Sequence, residues 1–145
     1  MKKILFLILA SCLVCSCATV YKRAYESTSN GYFDTQLQDN IYEINFNGNE
    51  LTNVKTAQDY ALLRAAEVCL EQGFKTFTMI NSSNNTETSS GAFTTYNYYT
   101  NRAHTSGYTN TYPKINLLIQ CSKNTDLVFD AQQIKENLRK KYNLK

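Results

Sequence analysis

Val54-Lys55-Thr56-Ala57-Gln58-Asp59-Tyr60-Ala61-Leu62-Leu63-Arg64-Ala65-Ala66-Glu67-Val68-Cys69-Leu70-Glu71-Gln72 is the stretch that decides the fold. Ala57, Ala61, Ala65, Val68 and Cys69 recur at spacings of three and four, which puts them on one face of a helix. Leu62, Leu63, Ala66 and Leu70 widen that stripe. Thr56 with Asp59 reads as a capping box, or Asn53 caps in its place, and Gly73 stands where a helix ends. On either side the period changes to two. Tyr42, Ile44 and Phe46 alternate with Glu43, Asn45 and Asn47 before a Gly48-Asn49 turn. Phe77 and Met79 alternate with Thr76 and Thr78 after the helix.

Ile115, Leu117, Ile119 and Cys121 mark a further strand. Val128, Ala131, Ile134, Leu138 and Tyr142 predict a second helix. Its last turns carry Arg139, Lys140 and Lys141, which suit the helix dipole and read as a solvated end. The order argues an α+β domain: a small mixed or antiparallel sheet of three to five strands, with two helices on one face.

Residues 81–114 form a polar excursion in which 19 of 34 positions are Ser, Thr or Asn. Such a composition buries too little apolar surface to offset its ordering entropy. Within it, Phe93 to Thr100 has high strand propensity, so a long mobile hairpin with its tip near Asn101 to Gly107 is expected.

The chain opens Met-Lys-Lys and continues apolar from Ile4 to Leu9, then Ala10-Ser11-Cys12-Leu13-Val14-Cys15-Ser16-Cys17. A short positive start, one apolar run and small residues at its end form a secretory signal ending in a lipidated cysteine. The run is shorter than the roughly 20 residues of a stable span. Two cysteines qualify. Cys12 follows Leu9-Ala10-Ser11 but leaves too short a hydrophobic helix, so Cys17 is preferred. Residues 1–16 are then the signal peptide, 17–30 a flexible tether and 31–145 one domain. Three acyl chains would make a durable anchor. Removing Lys2 and Lys3 from 15 basic groups leaves 13 against 12 acidic ones, a balance that offers no footprint for nucleic acid.

Gly31-Tyr32-x-Asp34 with Leu37, Tyr42-x-Ile44-x-Phe46-x-Gly48-Asn49 with Thr52, and Asp59-Tyr60-x-Leu62-Leu63-Arg64-Ala65-Ala66-Glu67 follow one another in order. Gly73-Phe74 with Phe77, Tyr112-Pro113 and Phe129-Asp130-Ala131 continue the series. This pattern resembles a family of uncharacterised small lipoproteins of Gram-negative bacteria. The resemblance implies a compartment and a lipid anchor, and brings no catalytic residues. Ala18 after Cys17, by likeness to lipoproteins of such bacteria, implies the outer membrane, with the domain facing the periplasm.

With the signal removed and Cys17 acylated, Cys69 and Cys121 remain. Both face the expected core. They are either a disulfide, worth about 4 kcal/mol for a loop of about 53 residues on the chain-entropy model, or two buried thiols. Arg64 and Glu67, three apart on the helix, read as a structural ion pair. Tyr96, Tyr98, Tyr99, Tyr108 and Tyr112 offer a surface that can stack on sugar or peptide, although strand propensity alone explains them more simply. His104, the single histidine, lies in the excursion without a partner. No zinc-site spacing or phosphate loop is seen, so no catalytic residue, metal or cofactor is expected. The expectation is a non-enzymatic lipoprotein that binds an envelope protein or cell-wall component. A structural or assembly accessory of the outer membrane is the alternative, and a cell-envelope hydrolase a remote one.

Overall fold

The computed structural model describes residues 18–25, 29–125 and 128–145. The signal peptide and both anchor candidates, Cys17 and Cys12, lie outside the described residues. The fold is α+β, as the alternating periods predict. Strands β1 (Gly31–Gln38), β2 (Ile41–Asn47), β3 (Thr76–Asn97), β4 (Arg102–Ser122) and β5 (Phe129–Asp130) form one antiparallel sheet in the order β1-β2-β4-β3-β5. Helices α1 (Val54–Glu71) and α2 (Ala131–Lys141) complete it.

The period-two residues become the inner face. Register places Tyr42 against Ile119, Ile44 against Leu117 and Phe46 against Ile115, and all six are buried. The alanines of α1 (Ala57, Ala61, Ala65 and Ala66) are fully buried against them, because a side chain of one carbon lets helix and sheet approach closely. Helix α2 packs on α1 and adds Ala131 and Ile134 to the same core. Asn53 caps α1, its side chain accepting from the Lys55 amide at 2.7 Å, so the cap is not Thr56. Gly73 follows with φ +78°, a left-handed residue at the helix end. Helix α2 starts at Ala131, later than the periodicity implies. Asp130 caps it, and Val128 is an exposed residue ahead of β5.

Cys69 of α1 and Cys121 of β4 are joined in a disulfide with Cα atoms 5.8 Å apart. Both residues are fully buried. Of the two sequence readings the bond is the one realised, and it closes a separation of 52 residues.

Two expectations need correction. The polar excursion is a long hairpin, as expected, but its tip is displaced. β3 and β4 pair without a break from Asn81 against Leu118 to Asn97 against Arg102, and the turn at Tyr98 to Asn101 lies before the expected tip. Beyond the Asn47–Lys114 pair, β4 pairs with β3 alone among the described residues, so Thr86–Asn97 and Arg102–Pro113 form a two-stranded arm. At about 3.4 Å per residue the arm runs about 40 Å past the body. The second correction concerns the tether. Residues 18–25 are packed on the domain: Thr19 and Ala24 are buried, and Arg23 pairs in parallel with Tyr32. Gly31, at φ +129°, makes that docking fit. A Cβ there would sit 2.4 Å from the Lys22 carbonyl oxygen.

Two outcomes follow from this architecture. Replacing Cys69 and Cys121 together by Ala should cost about 3–4 kcal/mol in urea denaturation, since the bond restricts the unfolded chain. A loss below about 1 kcal/mol would show that the bond constrains little. In amide exchange of the protein in solution, Ala61–Leu70 and Leu117–Cys121 should exchange slowest and the arm fastest, because an isolated two-stranded ribbon is marginal in water. Strong protection from Phe93 to Thr100 would contradict this.

Candidate functional site

Two regions gather polar and aromatic side chains in an arrangement that invites a functional reading. The first is a cleft of about 630 Å³ between the N-terminal segment, α1 and α2, lined by Tyr21, Tyr32, Arg64, Glu67, Lys135 and Arg139 among others. Arg64 is 6% exposed. Its Nε donates to Asp34 at 2.8 Å, and its Nη1 and Nη2 donate to the two Glu71 oxygens at 2.8 and 3.0 Å. Its ring partner is Tyr32, 5.0 Å away. Glu67 lies 3.7 Å from Arg64, so the pair read from the sequence exists, yet neither residue has its best contact there. Glu67 Oε1 accepts from Arg139 Nε at 3.0 Å and Nη2 at 2.7 Å. Its Oε2 accepts from the Tyr21 hydroxyl. Burial, then the hydrogen bond to Glu67 and that carboxylate's charge, push the Tyr21 hydroxyl far above its ordinary pKa. Burial alone would lower the Arg64 pKa, but its bonds to Glu71 and Asp34 outweigh this and keep the guanidinium charged.

Asp59 is a second node on α1. Lys55 Nζ donates to its Oδ1 at 2.5 Å, and Lys141 Nζ and the Tyr142 hydroxyl donate to its Oδ2 at 2.5 and 2.7 Å. Burial would raise the carboxyl pKa. The hydrogen bonds from Lys141, Lys55 and Tyr142 together prevail and hold it below the usual carboxylate range. A general acid would need the opposite shift. The basic end of α2 therefore is not simply solvated: Arg139 and Lys141 reach back to Glu67 and Asp59, although Lys140 and Lys141 are both exposed. Chemically the cleft is a clamp. Its buried donors and acceptors are spent on one another, tying the N-terminal segment and α2 to α1.

Sequence reasoning named Arg64 and Glu67 and missed Asp34, Asp59, Glu71, Tyr21, Arg139 and Lys141. The overlooked signal is the acidic set at 59, 67 and 71 on one helix, matched by cations at 139 and 141 on the next.

The second region is the arm. Residues opposite each other in the register share a face, so Tyr108 and Tyr112 lie on the outer face with Phe93, whereas Tyr96 lies on the helix-bearing side. Tyr98 and Tyr99 occupy the turn and are 86% and 102% exposed. The five tyrosines are thus not one strip. Tyr96, Tyr98 and Tyr99 gather at the tip, where Tyr96 and Tyr98 meet edge to face at 4.9 Å and the Tyr96 hydroxyl donates to Asn101. Tyr108 lies flat over Gly91, where a Cβ would come within 2.5 Å of its hydroxyl oxygen. Such a lid on a strand glycine supports the ribbon locally. His104 is exposed on the outer face, opposite Thr95. Among the described residues, no group of three or more His, Cys, Asp or Glu is placed to hold a metal ion, and no helix is long and apolar enough to cross a membrane.

Comparison with protein-family models, curated proteins and solved structures finds no match.

The Asp59 cluster gives a pH signature. A carboxyl whose folded pKa is depressed adds stability that is complete above its unfolded pKa of about 3.9 and is lost as pH falls through the folded value. Asp59→Asn should cost about 1–3 kcal/mol near neutral pH, the lower part of that range reflecting its two exposed lysine partners. The gap to the parent protein, followed by thermal unfolding across pH, should close as pH drops below about 4. A gap that is the same at every pH would contradict the assignment.

Proposed function

We propose that the chain is a lipid-anchored envelope lipoprotein, held by Cys17 at the outer membrane with its domain in the periplasm, and that it acts by binding and not by catalysis. The observation that carries this reading is the buried Cys69–Cys121 disulfide. Such bonds form and persist in oxidising compartments, and the amino-terminal sequence is that of an exported, lipidated chain. Two features support binding as the activity. The buried charges of the polar cleft, Arg64 and Glu67, are paired with neighbouring side chains, which suits a clamp. The arm sends an aromatic tip about 40 Å away from the body, which a purely internal role would not need. In this reading the arm is the element that engages another component of the envelope.

The test is the chemistry of the amino terminus together with the thiol state. Mass spectrometry of protein extracted from membranes should find acylated Cys17 as the first residue, and Cys17→Ser should abolish the lipid. Thiol labelling of unreduced, denatured protein should leave Cys69 and Cys121 unmodified. A mature terminus at Cys12, an unprocessed chain, or free thiols at both positions would overturn the proposal.

A further inference from the structure

We infer that the two-stranded arm lies along the surface of the bilayer that holds the lipid anchor, with its tyrosine tip at the level of the lipid headgroups. This deepens the reading above and rests on acylation of Cys17.

The amino-terminal segment, a tether by composition, is docked on the domain. The Thr19 amide donates to Thr52 Oγ1 at 3.0 Å and to Asn49 Oδ1 at 3.2 Å. The Thr19 hydroxyl accepts from the Asn49 amide at 2.9 Å. Two residues on, Tyr21 stacks 4.7 Å from Tyr32 and 5.4 Å from Tyr60. Cys17 is two residues from Thr19, and two residues of extended chain span at most about 7 Å. A lipid on Cys17 therefore brings the membrane to the Asn49–Thr52 turn and leaves no long leash. Around that point Val20 is 59%, Leu51 58% and Val54 42% exposed. These apolar side chains are about half exposed among the described residues and suit the headgroup boundary.

The arm leaves the body at the same end. Asn47, the last residue of β2, pairs with Lys114, and the Gly48 amide donates to the Pro113 carbonyl at 2.8 Å. The base of the arm is thus next to the turn that holds Thr19. From there the ribbon continues for about 40 Å. It cannot cross the hydrocarbon, since Ser, Thr and Asn occupy both faces and, among the described residues, neither outer edge pairs with a further strand. With its base held at the membrane the ribbon can project from the bilayer or lie beside it, and its composition favours the second. Its chemistry suits that place. Residues 88–101 carry no charge, and hydroxyl, amide and tyrosine groups predominate. Tyrosine is favoured where one end of a ring is apolar and the other wet.

The chain contains no Trp, so Tyr99→Trp supplies a single fluorophore at the tip. The lipidated full-length protein is reconstituted in phosphatidylethanolamine–phosphatidylglycerol vesicles, with and without lipids brominated just below the headgroup. Gln133→Trp, at the start of α2 where Ala131 meets Lys75 at the opposite end of the sheet, is the control. Fluorescence from position 99 should fall about twofold or more in brominated vesicles, with little dependence on salt, and that from position 133 should not change. Tyr98→Trp repeats the reading one residue away. A protein that floats with the vesicles while position 99 is quenched no more than position 133 would overturn the inference and leave the anchor intact. Burial of position 99 by self-association without vesicles would overturn it in favour of a second copy. A protein without acyl at Cys17 that fails to float would overturn the anchor and this inference together.

Discussion

The covalent link between Cys69 and Cys121 organises the domain. One helix of small residues lies on one face of a sheet, and the bond fixes that helix to β4, the strand that pairs with both β2 and β3. The alanines that let α1 come close also limit the apolar area it buries, so the cross-link adds what a larger core would otherwise supply. The chain is consequently suited to an oxidising compartment, where the bond persists. Around this link the other contacts are of a different kind. Asp59 and Glu67, both on α1, hold α2 through Lys141, Tyr142 and Arg139, and Glu67 also holds the amino-terminal segment through Tyr21. Leaving any one of these buried charges without its partner would be costly, which gives the polar layer a single arrangement.

Much of the body was legible in the sequence because its signals were strong. The alternation of Tyr42, Ile44 and Phe46 and of Ile115, Leu117 and Ile119 became paired inner faces, and the Ala stripe of 57, 61 and 65 became the buried side of α1. The sidedness of Cys69 and Cys121 was also readable, although their separation was not. The arm was harder to read. A ribbon exposed on both faces needs no apolar alternation, so its strands lack the period-two signature, and Ser, Thr and Asn look like loop. The docking of residues 18–25 was invisible for another reason. It depends on backbone bonds to Thr52, Asn49 and Tyr32, on one tyrosine hydroxyl, and on the absence of a side chain at Gly31. None of these has a periodic trace. The clamp was half visible, since acids on one helix and bases on another announce a pairing only once their faces are known to meet.

The packed amino-terminal segment links the fold to the proposed role. A flexible tether would leave the domain free to turn, with its arm aimed anywhere. A segment docked from Thr19 onward makes the position of the arm a consequence of the fold, because the turn that receives Thr19 is also where β4 leaves its last neighbour but one. In the proposed reading the lipid would provide attachment and the ribbon orientation.

Neutron reflectometry of the lipidated protein on a supported bilayer measures that arrangement directly, as the thickness of the protein layer above the headgroups. A layer about 35 Å thick in direct contact with the membrane, the size of the body alone, is expected if the arm lies along the surface. A layer approaching about 75 Å, with body and arm stacked along the membrane normal, or a hydrated gap between lipid and protein, would contradict it.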